Sequence, residues 1–206
     1  MPLYKELITN DYSIYTWRIS ELGHELSKGL PKLVNTQILL NNKLQKRRVE
    51  KSVQMHLLIY AGIDPLLLSY ASSGKPFIRN SEEHVSFSHS GKYAALMVSK
   101  TPCGIDLEQD NPIIKRISSK FLNKNETYFL SQPGALNWIW GIKEAVFKYF
   151  GSQVIFKHDI IVDRLDPDLL TARVSYQGCH GAGKFEMNLV RFENYYLAYT
   201  KAYQAL

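Results

Sequence analysis

The sequence predicts an α/β protein of the α+β type, built of two pseudo-symmetric halves that each pack a small antiparallel sheet against a long helix. A long stretch of helical hydrophobic periodicity occurs in each half, and runs of alternating polar and apolar residues follow it. Each half also repeats one order of elements: a strand containing Phe, a polar turn, and a return strand rich in Tyr and Ala. We therefore divide the chain into residues 1–103 and 104–206.

Composition excludes several classes of protein. The 206 residues are 45% hydrophobic and 12% aromatic, which is typical of a globular chain with an ample core. No apolar run approaches the roughly 20 residues of a membrane span, and charges near the N-terminus exclude a secretory signal. Two cysteines argue against a disulfide framework and for the cytoplasm. The net charge of +6 indicates an anionic partner, which is nucleic acid, a phosphorylated small molecule or an acidic protein.

The first half is predicted to begin with strands over residues 1–20, followed over residues 21–63 by helices that break at a Gly-Leu-Pro segment. Residues 43–51 form a strongly basic run that includes Arg47 and Arg48. Such a run is either a solvated helix face or a source of one or two phosphate contacts.

Two turns of the first half carry further candidate contacts. Lys75 follows a glycine and precedes Pro76, and its ammonium is either an ordinary surface charge or a point charge for phosphate. Residues 84–99 are predicted to form a β-hairpin with Ser88 and His89 near its tip. His89 is either a surface side chain or a contact to a phosphate or base, and Ser88 offers a hydroxyl beside it.

The second half is predicted to begin with a strand over residues 104–108. The strand period of two sends Asp106 and Glu108 to one face and Ile105 and Leu107 to the other. Two carboxylates about 7 Å apart along a strand repel each other unless positive charge lies between them. Oxygen ligands of this kind suit Mg²⁺; the alternative is an exposed strand with two solvated acids.

A predicted helix over residues 136–150 carries the remaining candidates. It is apolar around most of its circumference, yet Glu144 and Lys148 lie one turn apart on the same face. They form either a surface ion pair worth about 0.2–0.5 kcal/mol or a pair of charges held for chemistry. In the second case Glu144 adds a third carboxylate to the ion of Asp106 and Glu108, and Lys148 faces the anionic ligand.

The remaining sequence adds elements but no further site. Residues 113–130 are predicted to form an amphipathic helix, and residues 154–203 are predicted to be mostly strands. No Walker-type glycine loop, zinc-type Cys/His spacing or serine elbow occurs in the sequence. Cys103 and Cys179 are interpreted as packing residues.

The order of the motifs resembles one family. It is similar to the 4′-phosphopantetheinyl transferases, specifically the longer surfactin-synthetase-activating type made of two fused halves. The resemblance covers residues 72–151 by motif and the rest by length and pattern. The motifs are Gly-Lys-Pro at 74–76, Phe-Ser-His-Ser at 87–90, Gly-Ile-Asp-Leu-Glu at 104–108, and Trp-x-x-Lys-Glu-Ala at 140–145 with Lys148 and Gly151 behind.

The resemblance implies an enzyme that moves the 4′-phosphopantetheine arm of coenzyme A onto a serine of a carrier protein and releases 3′,5′-ADP. It implies that Asp106, Glu108 and Glu144 bind Mg²⁺, that Glu144 is the base, and that Lys148 neutralises or protonates the departing phosphate. Residues 113–130 resemble the carrier-docking region. Nucleotide contacts are implied for Lys75, Pro76, Ser88 and His89, with Arg47 and Arg48 joining them.

The expected partners are coenzyme A and an acidic acyl or peptidyl carrier protein, with no nucleic acid and no membrane, and the expected form is a cytoplasmic monomer. Two other functions remain open. The first is a Mg²⁺-dependent phosphodiesterase or nuclease that uses the same carboxylates with water as the nucleophile. The second is a non-catalytic basic binding module, which the net charge suggests. The sequence lacks, however, the interleaved aromatic residues that are typical of proteins that bind single-stranded nucleic acid.

Overall fold

A computed structural model describes residues 3–206, and these separate into two compact units. One unit comprises the described residues through Ala71 together with Pro76–Pro102; the other comprises Ser72–Lys75 and Cys103–Leu206. Each unit contains an antiparallel sheet and a helix of 16 residues. The predicted fold class is therefore confirmed. Among residues 3–206, no helix is both long enough and apolar enough to cross a membrane.

The first unit is built on a four-stranded antiparallel sheet with strand order β1-β2-β6-β5, beside a two-stranded sheet of β3 and β4. Three helices lie between β2 and β3 in the chain, followed by a short 3-10 helix at Pro65–Leu67. The elements are β1 (Leu3–Ile8), β2 (Tyr12–Arg18), α1 (Gly23–Lys28), α2 (Lys32–Asn41), α3 (Gln45–Tyr60), β3 (Leu68–Tyr70), β4 (Pro76–Ile78), β5 (His84–Ser90) and β6 (Tyr93–Ser99).

Helix α3 covers the sheet of the first unit. Its apolar residues recur at helical spacing, so that Val53 and Leu57 lie on one face and are fully buried. They pack in one hydrophobic cluster with Trp17 of β2 and Leu96 of β6. The alternating apolar residues of β2 and β6 provide the other side of this core.

The second unit is built on a five-stranded antiparallel sheet with strand order β7-β11-β10-β9-β8. The first strand therefore pairs with the last. A 3-10 helix at Lys124–Ser131 lies between α4 and α5. The elements are β7 (Ile105–Gln109), α4 (Pro112–Phe121), α5 (Ala135–Phe150), α6 (Phe156–Asp159), β8 (Ile160–Asp166), β9 (Thr171–Gly178), β10 (Gly181–Phe192) and β11 (Tyr195–Ala205).

Helix α5 is the central helix of the second unit and packs beside β7 and β11. Its residues Trp138, Ile142 and Val146 are buried at helical spacing in the main hydrophobic cluster. The contact with the start of β7 is unusually close, because a Cβ placed on Gly104 would lie 1.9 Å from the carbonyl oxygen of Ala145. The sequence thus brings the predicted acidic strand directly against the predicted charged helix.

The observed elements differ from the sequence prediction in a few places. Residues 113–130 do not form one helix, because α4 ends at Phe121 and the next residues are extended before the 3-10 helix begins. The break is stabilised where Asn123 and Glu126 form a capping box. The predicted helical region 21–63 forms three helices. The predicted strand region begins at residues 1 and 2, which lie outside the described residues.

Candidate active site

A buried carboxylate and a lysine form the centre of the candidate site in the second unit. Asp106 lies in β7 opposite Ala198 of β11, and it is almost completely buried. The Nζ atom of Lys148 in α5 donates a hydrogen bond to Asp106 Oδ1 over 2.6 Å. This is the short distance of a charge-assisted hydrogen bond. The strand and the helix that sequence analysis selected are therefore joined through their charged side chains.

Glu144 lies one turn before Lys148 on the same helix and is half-buried. The pKa of the Glu144 carboxyl is raised to about 7, first by burial and then by the negative charges of Asp106 and Glu108, against the opposing effect of Lys148. Three carboxylates that repel one another and one lysine thus share a small region. The structure brings together all four residues to which sequence analysis assigned the chemistry.

One polar stripe of α5 faces β7. Asn137, Gly141, Glu144 and Lys148 follow at intervals of four, three and four residues, which places them on one face. A Cβ on Gly141 would lie 3.6 Å from Asp106 Oδ2, which is ordinary van der Waals contact, so this face of the helix passes directly beside the carboxylate. Asn137 Nδ2 donates to Oδ1 of an acid just after β7 over 2.9 Å. That acid is Asp110, which was not predicted from the sequence. Its partner Asn137 could have been found, because it lies one helical turn before Gly141 on the same face.

The donor chemistry of this cluster fits Mg²⁺. Three carboxylates supply hard oxygen ligands, and a bound cation would offset both the burial and the repulsion from neighbouring acids that raise the Glu144 pKa. As arranged, no group of three or more His, Cys, Asp or Glu side chains within residues 3–206 is close enough to hold an ion. Lys148 already neutralises one oxygen of Asp106. Binding through Asp106, Glu108 and Glu144 would therefore require these side chains to move closer together than they are here.

Lys75 lies at the C-terminal end of α5. Its Nζ atom donates a hydrogen bond to the backbone carbonyl oxygen of Tyr149, and it lies 5.6 Å from the centre of the Tyr149 ring. A cation at this end of a helix is stabilised by the helix dipole. Burial lowers the pKa of the Lys75 ammonium, while the neighbouring Cys103 opposes that effect. The predicted nucleotide contact is therefore part of the second unit. It also packs closely against Gly151, since a Cβ on Gly151 would lie 2.9 Å from Lys75 Cβ.

The other predicted nucleotide contacts lie in the first unit. Glu50 of α3, which sequence analysis missed, pairs with both Arg47 and His89, at 3.3 Å and 3.1 Å. Arg48 points elsewhere, because its Nε atom donates to the carbonyl oxygen at the end of α2 over 2.7 Å. Two further predicted contacts, Ser88 in β5 and Pro76 at the start of β4, are buried and half-buried respectively.

A second lysine of α5 makes a separate polar network. Lys143 and Glu126 are completely buried and form an ion pair of 2.8 Å. The same Nζ atom lies within hydrogen-bonding distance of three backbone carbonyl oxygens, those of Phe121, Phe156 and Ile160. Sequence analysis included Lys143 in a motif but assigned it no role. Its partner was not predictable, because Glu126 lies in the segment wrongly predicted as a continuous helix.

Comparison with known proteins identifies relatives. Residues 102–200 match the family model of the 4′-phosphopantetheinyl transferase superfamily. The 4′-phosphopantetheinyl transferase psf-1 of Bacillus pumilus is 28% identical over 121 residues, and gsp of Aneurinibacillus migulanus is 26% identical over 147 residues. A 4′-phosphopantetheinyl transferase of Bacillus subtilis is 29% identical over 116 residues.

These matches cover part of each protein. They span 55%, 68% and 52% of this chain, and 52%, 61% and 52% of the respective relatives. The chain thus matches between half and three fifths of the length of these curated relatives. The four charged residues of the candidate site all fall within the region that the family model matches.

Proposed function

We propose that this chain transfers the 4′-phosphopantetheine arm of coenzyme A to a serine of an apo carrier protein, because residues 102–200 match the family model of the 4′-phosphopantetheinyl transferase superfamily. The reaction would depend on Mg²⁺ and release 3′,5′-ADP. The observation that carries the proposal is the contact between β7 and α5, where Lys148 pairs with Asp106 over 2.6 Å beside Glu144 and Glu108.

The transfer forms one bond and breaks one. The serine oxygen attacks the phosphorus that bears the pantetheine arm, and the bond from this phosphorus to the oxygen of 3′,5′-ADP breaks. Glu144 accepts the serine proton, directly or through a water molecule. Lys148 neutralises or protonates the departing phosphate. Mg²⁺, held by Asp106, Glu108 and Glu144, would neutralise charge on the pyrophosphate.

The substrate contacts follow the two proposed halves, residues 1–103 and 104–206. The first half would supply most of the nucleotide contacts, and the second would hold the metal and dock the carrier at residues 113–130. Three exposed apolar side chains in or beside α4 and the 3-10 helix support docking there: Ile113, Tyr128 and Leu130. The proposed nucleotide contacts are Lys75, Pro76, Ser88, His89, Arg47 and Arg48.

The surroundings of the reaction are also part of the proposal. The basic chain suits both an anionic nucleotide and an acidic carrier, whose association should weaken with salt. Both cysteines are free thiols, which supports a reducing compartment such as the cytoplasm. A monomer is the proposed form, because the metal ligands all come from one chain.

The direct test is to incubate the protein with coenzyme A, Mg²⁺ and a panel of apo carriers, and to measure the mass of each carrier. We expect one carrier to gain a phosphopantetheine group. The variants Asp106→Asn and Glu144→Gln should each lower the rate by about 100-fold or more, because each loses charge that acts on the transition state. The exposed Glu186→Gln is the matched control and should retain the wild-type rate.

Two results would reject this function. If Asp106→Asn or Glu144→Gln transferred at the wild-type rate, the carboxylate concerned would take no part in the reaction. Hydrolysis of coenzyme A without any carrier, at the rate measured with carriers present, would instead identify a Mg²⁺-dependent phosphodiesterase.

A further inference from the structure

Residues 22–49 of the first unit concentrate the positive charge of the chain. They carry six cationic residues against the single acid Glu25, a net charge of +5, and are bordered by Glu21 and by Glu50, which pairs with Arg47. This segment includes α1, α2 and the start of α3. We call it the leucine–lysine surface, because leucines and lysines dominate its exposed side chains. The cations are Lys28, Lys32, Lys43, Lys46, Arg47 and Arg48.

The same surface exposes large apolar side chains. Leu40 is 76% exposed and Leu44 is 68% exposed. Within α2, Leu33 and Leu40 are seven residues apart and therefore share one face. Scattered exposed leucines are ordinary, but several within one short segment indicate a contact surface. The complete set is Leu22, Leu33, Leu39, Leu40 and Leu44.

The folding of α2 does not account for these exposed leucines. Two other residues of the helix, Val34 and Ile38, are buried in the hydrophobic cluster of the first unit. They are four residues apart and provide the attachment of the helix to its core. Helix α2 is therefore apolar on an inner face that the fold uses and on an outer face that stays exposed to solvent.

The lysines of the surface are available for a partner. Within residues 3–206, none of the four ammonium groups of Lys28, Lys32, Lys43 and Lys46 takes part in an ion pair. All four side chains are exposed. The arginines differ, because Arg47 pairs with Glu50 and Arg48 binds a backbone carbonyl oxygen.

We infer that the leucine–lysine surface docks an amphipathic helix of a protein partner, with acidic residues flanking the apolar stripe of that helix. Such helices are recognised through apolar anchors spaced by about one or two turns, which matches the spacing of Leu33 and Leu40. The free lysines around these leucines supply the complementary charge. Complementary charge raises the association rate and rejects basic partners.

The observations favour this occupant over two others. A membrane surface is normally contacted through aromatic residues as well as leucine and lysine, and residues 22–49 contain no Trp, Tyr or Phe. A second copy of this chain would bring one surface of charge +5 against another, which like-charge repulsion opposes. The inference uses none of the residues of the β7 and α5 cluster. It shares Arg47 and Arg48 with the proposed nucleotide contacts, and the test therefore leaves both arginines unchanged.

The test uses a synthetic amphipathic helix as the probe. One face of the peptide carries Leu and the other carries Glu, and binding of the full chain is followed by fluorescence anisotropy at several salt concentrations. A peptide of the same composition in scrambled order and a peptide with Lys in place of Glu are the controls. We expect saturable binding of the acidic amphipathic peptide alone, with an affinity that falls as salt rises.

Paired variants separate the leucines from the charge. Leu33→Ser combined with Leu40→Ser should weaken binding about tenfold or more, because two apolar anchors lose their burial. Leu169→Ser combined with Leu206→Ser changes two exposed leucines of the second unit and should leave the affinity unchanged. Lys32→Glu with Lys43→Glu should also weaken binding about tenfold, unlike Lys100→Glu with Lys184→Glu. Circular dichroism of each variant confirms the fold.

Several outcomes would overturn the inference. Equal binding of the acidic and scrambled peptides, or no binding of either, rules out a helix-docking surface. If the Leu33 and Leu40 variant and the Leu169 and Leu206 variant change the affinity equally, the leucines are not anchors and the peptide binds through charge alone. Binding to vesicles of phosphatidylcholine and phosphatidylserine that is lost in the Leu33 and Leu40 variant would identify a membrane contact. Self-association in sedimentation experiments, lost in the same variant, would identify a second copy.

Discussion

Helix α5 makes two lysine–carboxylate pairs that differ in their surroundings. Lys143 and Glu126 are completely buried, and the lysine Nζ atom lies near four oxygen acceptors at 2.8–2.9 Å. An ammonium has three N–H donors, so this network is saturated. Lys148 and Asp106 form a shorter pair, but Lys148 is partly exposed and two more carboxylates lie nearby.

The difference separates a structural pair from a reactive one. Both oxygens of Glu126 accept hydrogen bonds, from the backbone N–H groups of Asn123 and Val162 as well as from Lys143. Nothing remains for a ligand to bind. Around Asp106, in contrast, three acids face one lysine, and an added cation would lower the electrostatic energy. Unbalanced charge, and not burial or the presence of an ion pair, marks the candidate active site.

The largest effect should follow from breaking the saturated pair. Lys143→Met leaves the Glu126 carboxylate buried without its cation, and we expect a loss of about 3–5 kcal/mol in the free energy of unfolding. Urea denaturation in chelator and in Mg²⁺ measures it. The loss should be equal in both, because no ion can reach the site. Recovery of stability on adding Mg²⁺ would show that this pair is open to ligands.

Breaking the reactive pair should cost less and should respond to cations. Lys148→Met removes a hydrogen bond to a charged group, and we expect a loss of about 2–3 kcal/mol in chelator. Added Mg²⁺ should restore most of that stability, because the ion takes the place of the lysine charge. Calorimetric titration of the variant with Mg²⁺ should show tighter binding than the wild type. Identical Mg²⁺ affinities of the variant and the wild type would show that the Lys148 charge does not act on the metal ligands.

Removing the charge of Glu144, which burial and the neighbouring acids disfavour, should stabilise the fold. The pKa of Glu144 is raised from 4.5 to about 7, so its ionised form destabilises the folded protein above pH 7 and has no effect below pH 4.5, where the carboxyl is protonated in both states. Glu144→Gln should therefore gain about 1–2 kcal/mol at pH 8 in chelator, while transfer is lost. The gain should decline as the pH falls from 7 to 4.5. A gain that is independent of pH would contradict this cause.

The smallest effect should come from Lys75, at the end of the same helix. Lys75→Gln should lower the free energy of unfolding by about 1 kcal/mol, because the C-terminal carbonyl group loses a cation. If Lys75 also contacts the nucleotide, the variant should raise the KM for coenzyme A and change kcat little. The exposed Lys184→Gln is the matched control. A change confined to kcat would contradict the nucleotide contact.

Sequence periodicity predicted the faces on which Asp106, Glu144 and Lys148 lie, because these residues belong to regular elements. The ion pair of Lys148 with Asp106 was not itself predicted. The period of two placed Asp106 on one face of β7, and the period of 3.6 placed Glu144 and Lys148 together on α5. The hairpin of β5 and β6 was predicted for the same reason. Regular elements fix the direction of a side chain from its position alone, so that a pattern in the sequence is enough to bring charged groups together.

The saturated pair could not be predicted in this way. Glu126 lies in a 3-10 helix after an extended break, and the acceptors of Lys143 are backbone carbonyl oxygens whose positions depend on the packing of three separate segments. The pairing of Glu50 with His89 was missed for a similar reason, because it links a helix to a hairpin strand and no local period relates the two. The pairing of Glu50 with Arg47 is different, because the two residues are three apart on α3 and helical spacing alone brings them together.

Gly104 has a consequence for the distance between the two elements that carry the chemistry. A single methyl group at this position would overlap the backbone of α5, with its carbon 1.9 Å from the carbonyl oxygen of Ala145. Gly104→Ala would therefore move β7 away from α5 while every charged side chain remained present. Only a hydrogen atom fits at position 104. A residue without any functional group therefore sets how far Asp106 lies from Glu144 and Lys148.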